Sequence, residues 1–93
     1  MSESTSSQFD GLKQKLEKQN NWPRVYLFKF IIPNDNHKLA QVEALFGSEA
    51  QVSRNQSRTG KFISVTAKEL MISVDEVISR YEKSTLIEGL ISL

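Results

Sequence analysis

The chain has 93 residues, 39% of them hydrophobic, which is enough for one modest core and too little for a multidomain enzyme or a deep two-layer substrate cleft. Twelve basic residues stand against eleven acidic ones, so the general basicity of a non-specific nucleic-acid binder is missing. With no cysteine, there is no disulfide, no thiolate metal site and no cysteine nucleophile.

Residues 1–8, Met-Ser-Glu-Ser-Thr-Ser-Ser-Gln, offer little to bury and are expected to form a disordered tail. They lack the apolar stretch of a secretory signal, so the protein is expected in the cytoplasm. Phe9, Leu12 and Leu16 recur at helical spacing, with Lys13, Lys15, Glu17 and Lys18 on the other side. This pattern predicts an amphipathic helix over 9–20. Asn20-Asn21-Trp22-Pro23 ends it, because the residue before a proline is pushed toward extended geometry.

Arg24 to Pro33 is dense in aromatic and β-branched residues and reads as a strand. Alternation sends Tyr26, Phe28, Phe30 and Ile32 to one side and Val25, Leu27, Lys29 and Ile31 to the other, wetter one. Both sides are largely apolar, as in a central strand. The run is interrupted by Lys29 and too short to span a bilayer. Asn34, Asp35 and Asn36 are helix-cap candidates, and Leu39, Val42, Leu45 and Phe46 follow at helical spacing until Gly47.

Gln51 to Ser57 is a polar strand suited to a sheet edge, where it discourages pairing with other chains. Arg58-Thr59-Gly60-Lys61 is a turn in which Gly60 supplies a positive φ. In the next strand, Ile63, Val65 and Ala67 point inward, and Phe62, Ser64, Thr66 and Lys68 outward. Ser73-Val74-Asp75-Glu76 is a capping box, followed by the apolar face Val74, Val77, Ile78 and Tyr81. Leu86 to Leu93 is predicted as the final strand, with Ile87, Gly89, Ile91 and Leu93 buried.

The expected fold is therefore an α+β sandwich of ferredoxin-like βαββαβ topology after an N-terminal helix. Its four-stranded antiparallel sheet, of order 4-1-3-2, carries both helices on one face. The domain occupies residues 22–93, and its bare sheet face is the place to look for function.

Three stretches carry a family resemblance. Trp22-Pro23 precedes a Tyr-x-Phe-Lys-Phe strand; Ser57-x-x-Gly60-Lys61-Phe62-x-Ser64-Val65-Thr66 follows; a helix and a short hydrophobic strand end the chain. Over residues 22–93 this resembles the small bacterial YbeD-like family. The resemblance implies an ACT-like ferredoxin fold and a link to ACT-type regulatory modules. It implies no catalytic activity, since none is established for that family.

The hairpin Ser57 to Thr66 is the most distinctive patch. Phe62, Ser64 and Thr66 are expected on the open face beside Lys29, with Arg58 and Lys61 at the turn, a set able to hold an anionic or carboxylate-bearing ligand. The plainer explanation is a glycine the turn requires and hydroxyls that suit a strand. ACT modules commonly bind amino acids at the loop after the first strand, often through a glycine. The loop here, Pro33-Asn34-Asp35-Asn36-His37, has none, and its polar residues read as helix caps.

His37 is the only histidine, with Asp35 alone near it in sequence, so neither a metal site nor a Ser-His-acid arrangement is suggested. The glycine-free acidic loop also lacks the phosphate cradle of acylphosphatases. RNA-recognition domains stack bases on aromatics of the two central strands, and here Phe62 alone is placed for that. Leu27, Ile31, Phe62 and Leu90 are expected to form an apolar patch covered by the N-terminal helix or by a second chain. Trp22 is a candidate anchor for either arrangement, or a core residue.

The sequence thus points to a non-catalytic, cytoplasmic regulatory module, a homodimer needing no cofactor. It is expected to bind a small metabolite or protein partner through Lys29, Arg58, Lys61, Phe62, Ser64 and Thr66. A nucleic-acid-binding module using the open sheet face is the alternative.

Overall fold

The computed structural model describes residues 8–19 and 21–93; all but Gln8 of the expected tail lies outside the described residues. Seven elements follow in order: α1 (Asp10–Glu17), β1 (Arg24–Pro33), α2 (Asn36–Glu43), β2 (Gln51–Gln56), β3 (Phe62–Met71), α3 (Val74–Ser84) and β4 (Ile91–Ser92). The four strands form one antiparallel sheet in the order β2-β3-β1-β4. β1 pairs with β3 along its whole length, from Arg24 opposite Met71 to Pro33 opposite Phe62.

Alternation along the two long strands creates the core. Phe28, Phe30 and Ile32 of β1 and Ile63, Val65 and Ala67 of β3 are buried on one face. Val42 of α2, Val77 and Tyr81 of α3, and Leu16 of α1 complete that cluster, so all three helices cover the same face. Its centre is aromatic: the Phe28 ring lies 5.4 Å from Tyr81, 5.5 Å from Phe46 and 6.1 Å from Phe30. The Tyr81 hydroxyl meets that of Tyr26 at 3.2 Å, and burial raises the Tyr81 phenol's pKa.

Two caps set the helix starts. Asp35 Oδ1 accepts from the N–H groups of His37 (2.7 Å) and Lys38 (3.2 Å). Ser73 Oγ accepts from Glu76 N at 3.3 Å. The Glu76 carboxylate reaches back to Ile72 N at 2.6 Å, one residue before the cap, so the capping box is offset by a residue.

Two open alternatives are resolved and one expectation needs correction. The N-terminal helix does not cover the bare sheet face: Phe9 packs on Tyr81 with ring centroids 5.8 Å apart, and Lys13 pairs with Asp75 at 3.5 Å. Trp22 belongs to the same side, half-buried against the core, with its indole N–H donating to the Leu16 carbonyl at 3.4 Å. The final strand is much shorter than Leu86 to Leu93. After α3 the chain turns through Thr85–Leu90, burying Ile87 and half-burying Leu90; only Ile91 and Ser92 form the strand against β1, with the Leu93 N–H donating to the Lys29 carbonyl at 2.9 Å. Ile91 and Leu93 are therefore exposed, not core, and Leu90 leaves the proposed surface patch. Among the described residues, no helix is long and apolar enough to cross a membrane.

Adjacent positions of β1 test the one-sided core. Phe28 is wholly buried and Leu27 is 47% exposed. Phe28→Ala should cost about 3–5 kcal/mol in urea unfolding, whereas Leu27→Ala should stay within about 0.5 kcal/mol. Comparable losses at both positions would show that the second face is covered as well.

Candidate functional site

The face opposite the helices is organised in rows that cross the strands. Val25 lies beside Leu70; Leu27 beside Lys68 and Gln51; Lys29 beside Thr66 and Ser53. Ile91 lies beside Ile31, then Ser64 and Asn55; Pro33 beside Phe62 closes the hairpin end. Two apolar clusters result, Val25–Leu27–Leu70 and Ile31–Phe62–Ile91, with a polar band between them. In that band Lys29 and Lys68 are diagonal neighbours, about 7–8 Å apart with their Cβ atoms somewhat closer, and Thr66 stands directly opposite Lys29. Neither lysine faces a strand carboxylate. Among the described strand residues the one acid is Glu69, which sits on the helix side.

Of the residues singled out from sequence, Lys29 and Thr66 are direct cross-strand partners, and Ser64 and Phe62 follow on the same face. Phe62, Ser64 and Ile31 line a shallow depression of about 320 Å³ with Asn55, Gln56 and Ser57. Arg58 and Lys61 are not part of this group. They stand on the hairpin beyond Phe62, which is itself about 13 Å along the strand from Thr66. Lys68 and Ser53 belong to the band but were not among the expected site residues. For Lys68, the signal was the same outward alternation that picked out Thr66.

The hairpin tip is held by a residue expected to be only a helix cap. Asn34 donates its backbone N–H to the Lys61 carbonyl at 2.9 Å and its side-chain amide to the Gly60 carbonyl at 2.7 Å. Asp35 alone caps α2, and those two N–H groups, from Lys38 foremost, hold its carboxyl below the ordinary value. Gly60 adopts φ +77, as the turn requires. Ser57 closes the loop: its N–H donates to the Phe62 carbonyl at 2.8 Å, and its Oγ accepts from Phe62 N at 3.1 Å.

A second polar tie lies on the helix side. Glu69 accepts from Arg80 at 2.6 Å and from Gly47 N at 3.2 Å, both its side chain and that of Arg80 being largely buried. A Cβ at position 47 would come within 2.8 Å of that carboxylate, so a larger residue there would make the Glu69 side chain shift. The Arg80 hydrogen bond holds the Glu69 carboxyl below its ordinary value of 4.5. His37 is exposed at the start of α2, and among the described residues no cluster of three His, Cys, Asp or Glu could hold a metal.

The arrangement offers donors and cations on an open surface, which is chemistry for binding an anion beside apolar groups. Compared with known proteins, the chain matches no family model, no curated protein and no solved structure.

Both polar ties can be measured. Asn34→Ala should cost about 0.5–1.5 kcal/mol and speed hydrogen exchange at Gly60 and Phe62 while core amides stay protected. Glu69, with its folded pKa lowered, contributes stability that is complete above its unfolded pKa. That stability is lost as pH falls through the lower folded value. Stability between pH 5 and 2 should therefore fall less steeply in Glu69→Gln than in the parent, and an identical slope would mean that the pair contributes nothing.

Proposed function

We propose that this chain is a non-catalytic regulatory module of the cytoplasm that binds an anionic small metabolite or protein partner on its open sheet face. The carrying observation is the band Lys29–Thr66–Lys68: two cations and a hydroxyl, set between apolar clusters on a face whose strands bear no carboxylate. In this reading the fold is ferredoxin-like and ACT-like, in keeping with the resemblance to the YbeD-like family. The working unit is a homodimer joined along a sheet edge. Regulation then follows from differential affinity, with the bound anion favouring one assembly or partner over another.

The same cations favour a second reading, a nucleic-acid-binding module. Against it, Phe28 and Phe30 are buried in the core and Tyr26 lies on that same side, leaving Phe62 as the aromatic on the open face. Base stacking by the two central strands would need more.

Amide NMR during addition of pooled carboxylate and phosphate metabolites tests the first reading. Saturable shifts should cluster at Lys29, Ser64, Thr66 and Lys68. Because a charge-assisted hydrogen bond contributes about 1.5–3 kcal/mol, Lys29→Ala should weaken that binding about tenfold or more. Pools that leave the face silent, while a uridine oligonucleotide shifts it with a steep salt dependence, would establish the second reading instead.

A further inference from the structure

Resting on the open face as the binding surface, we infer that its partner is an amphipathic helix of another protein, carrying acidic residues in the middle of its apolar stripe. Four features of the face select this occupant.

The first is length. From Val25 to Ile31 the apolar clusters are spread over about 20 Å of strand, the span of about thirteen helical residues. The second is shape. The face carries separate depressions, one at Ile31, Phe62 and Ser64 and one at Ser53, Thr66 and Lys68, so an elongated occupant can seat side chains in both.

The third is the placement of charge. Lys29 lies between the two apolar clusters and Lys68 beside Leu27 at the inner edge of one, so the cations are set among the apolar groups instead of around them. A face that enters a membrane keeps its cations at the rim, where they reach the headgroups. A helix with acids at the middle of its stripe presents them to this band while its apolar ends cover Leu27 and Ile31.

The fourth weighs against a second copy of the same face. Stacking two such faces would set lysines against lysines, and the nearest acid, Glu49 in the loop before β2, stands at the Lys68 margin of the face and not beside Lys29. The N-terminal helix of the chain itself is already committed to the opposite side through Phe9 and Leu16. The face is thus left open by its own molecule and complementary to an acidic, apolar one.

The probe is a synthetic amphipathic helix of about sixteen residues, a little longer than the span, with leucines at both ends of its stripe and glutamates between. Its control carries lysines in place of those glutamates. On labelled full-length protein, the glutamate peptide should give saturable amide shifts at Leu27, Lys29, Thr66 and Ile91, and bind at least about tenfold more tightly than the control. The variant Lys29→Glu/Lys68→Glu should reverse that order. Single Lys29→Ala and Lys68→Ala changes, each expected to weaken the glutamate peptide, serve if the double variant loses its strand spectrum. Equal binding of both peptides, shifts on the helix side, or displacement of the peptide by a uridine oligonucleotide would overturn the inference. Failure of the peptides on a face that still takes a small carboxylate would overturn this inference alone, and a face silent to everything would overturn the reading beneath it.

Discussion

Strand β1 carries large apolar side chains on both of its sides, and helices cover only one of them. Phe28, Phe30 and Ile32 face the helices, each gaining roughly 1.5–3 kcal/mol from burial, while Val25, Leu27 and Ile31 face outward. A one-residue slip of β1 against β3 would exchange the two sets and place Lys29 in the aromatic core. Register is therefore fixed by the core, and the composition of the open face follows from it. With both crossover helices and α1 on the same side, no layer of the described chain remains to cover the other.

A two-layer fold of this size has little core to spare, so polar ties at its margins matter for geometry more than their number suggests. Glu69 links β3 to α3 through Arg80 and to the loop after α2 through Gly47. Asn34 joins the end of β1 to the tip of the β2–β3 hairpin. The two ties lie toward opposite ends of the paired β1 and β3, one beside Tyr26 and one beyond Pro33. Between them the strands bear the Lys29–Thr66–Lys68 band, so the donors are carried by backbone held at both ends. Only the hairpin cations Arg58 and Lys61 sit on a loop.

Much of this was legible in the sequence because period-two alternation is a strong signal where one face is buried. It gave the sides of β1 and β3, and the polar character of Gln51–Gln56 marked an exposed strand. It failed in Leu86–Leu93, where a run of Leu and Ile is equally compatible with strand and with a packed turn. What decided that segment was tertiary: α3 runs on to Ser84, and Ile87 then turns into the core. The docking side of α1 was likewise illegible, since a stripe of Phe9, Leu12 and Leu16 matches either apolar surface. Asn34 was misread because asparagine before a helix is usually a cap, and its real partners lie 26 and 27 residues away in sequence. Lys68 was visible as outward-facing, but its nearness to Lys29 required the register.

The near-neutral composition conceals how the charges are sorted. Eleven acids nearly balance twelve bases over the whole chain, yet the described strands hold a single acid, and it is on the helix side. Two ammonium charges repel by roughly 0.5 kcal/mol at about 8 Å in water, which an open face tolerates. Covering them with an apolar surface would lower the dielectric and raise that repulsion about fourfold, with the loss of hydration added to it. Covering them with a surface that brings its own carboxylates replaces the lost hydration with charge-assisted hydrogen bonds. The lysine pair therefore works as a filter on what may cover the exposed leucines and isoleucines: it penalises neutral apolar surfaces, including those that lead to aggregation, and admits acidic ones.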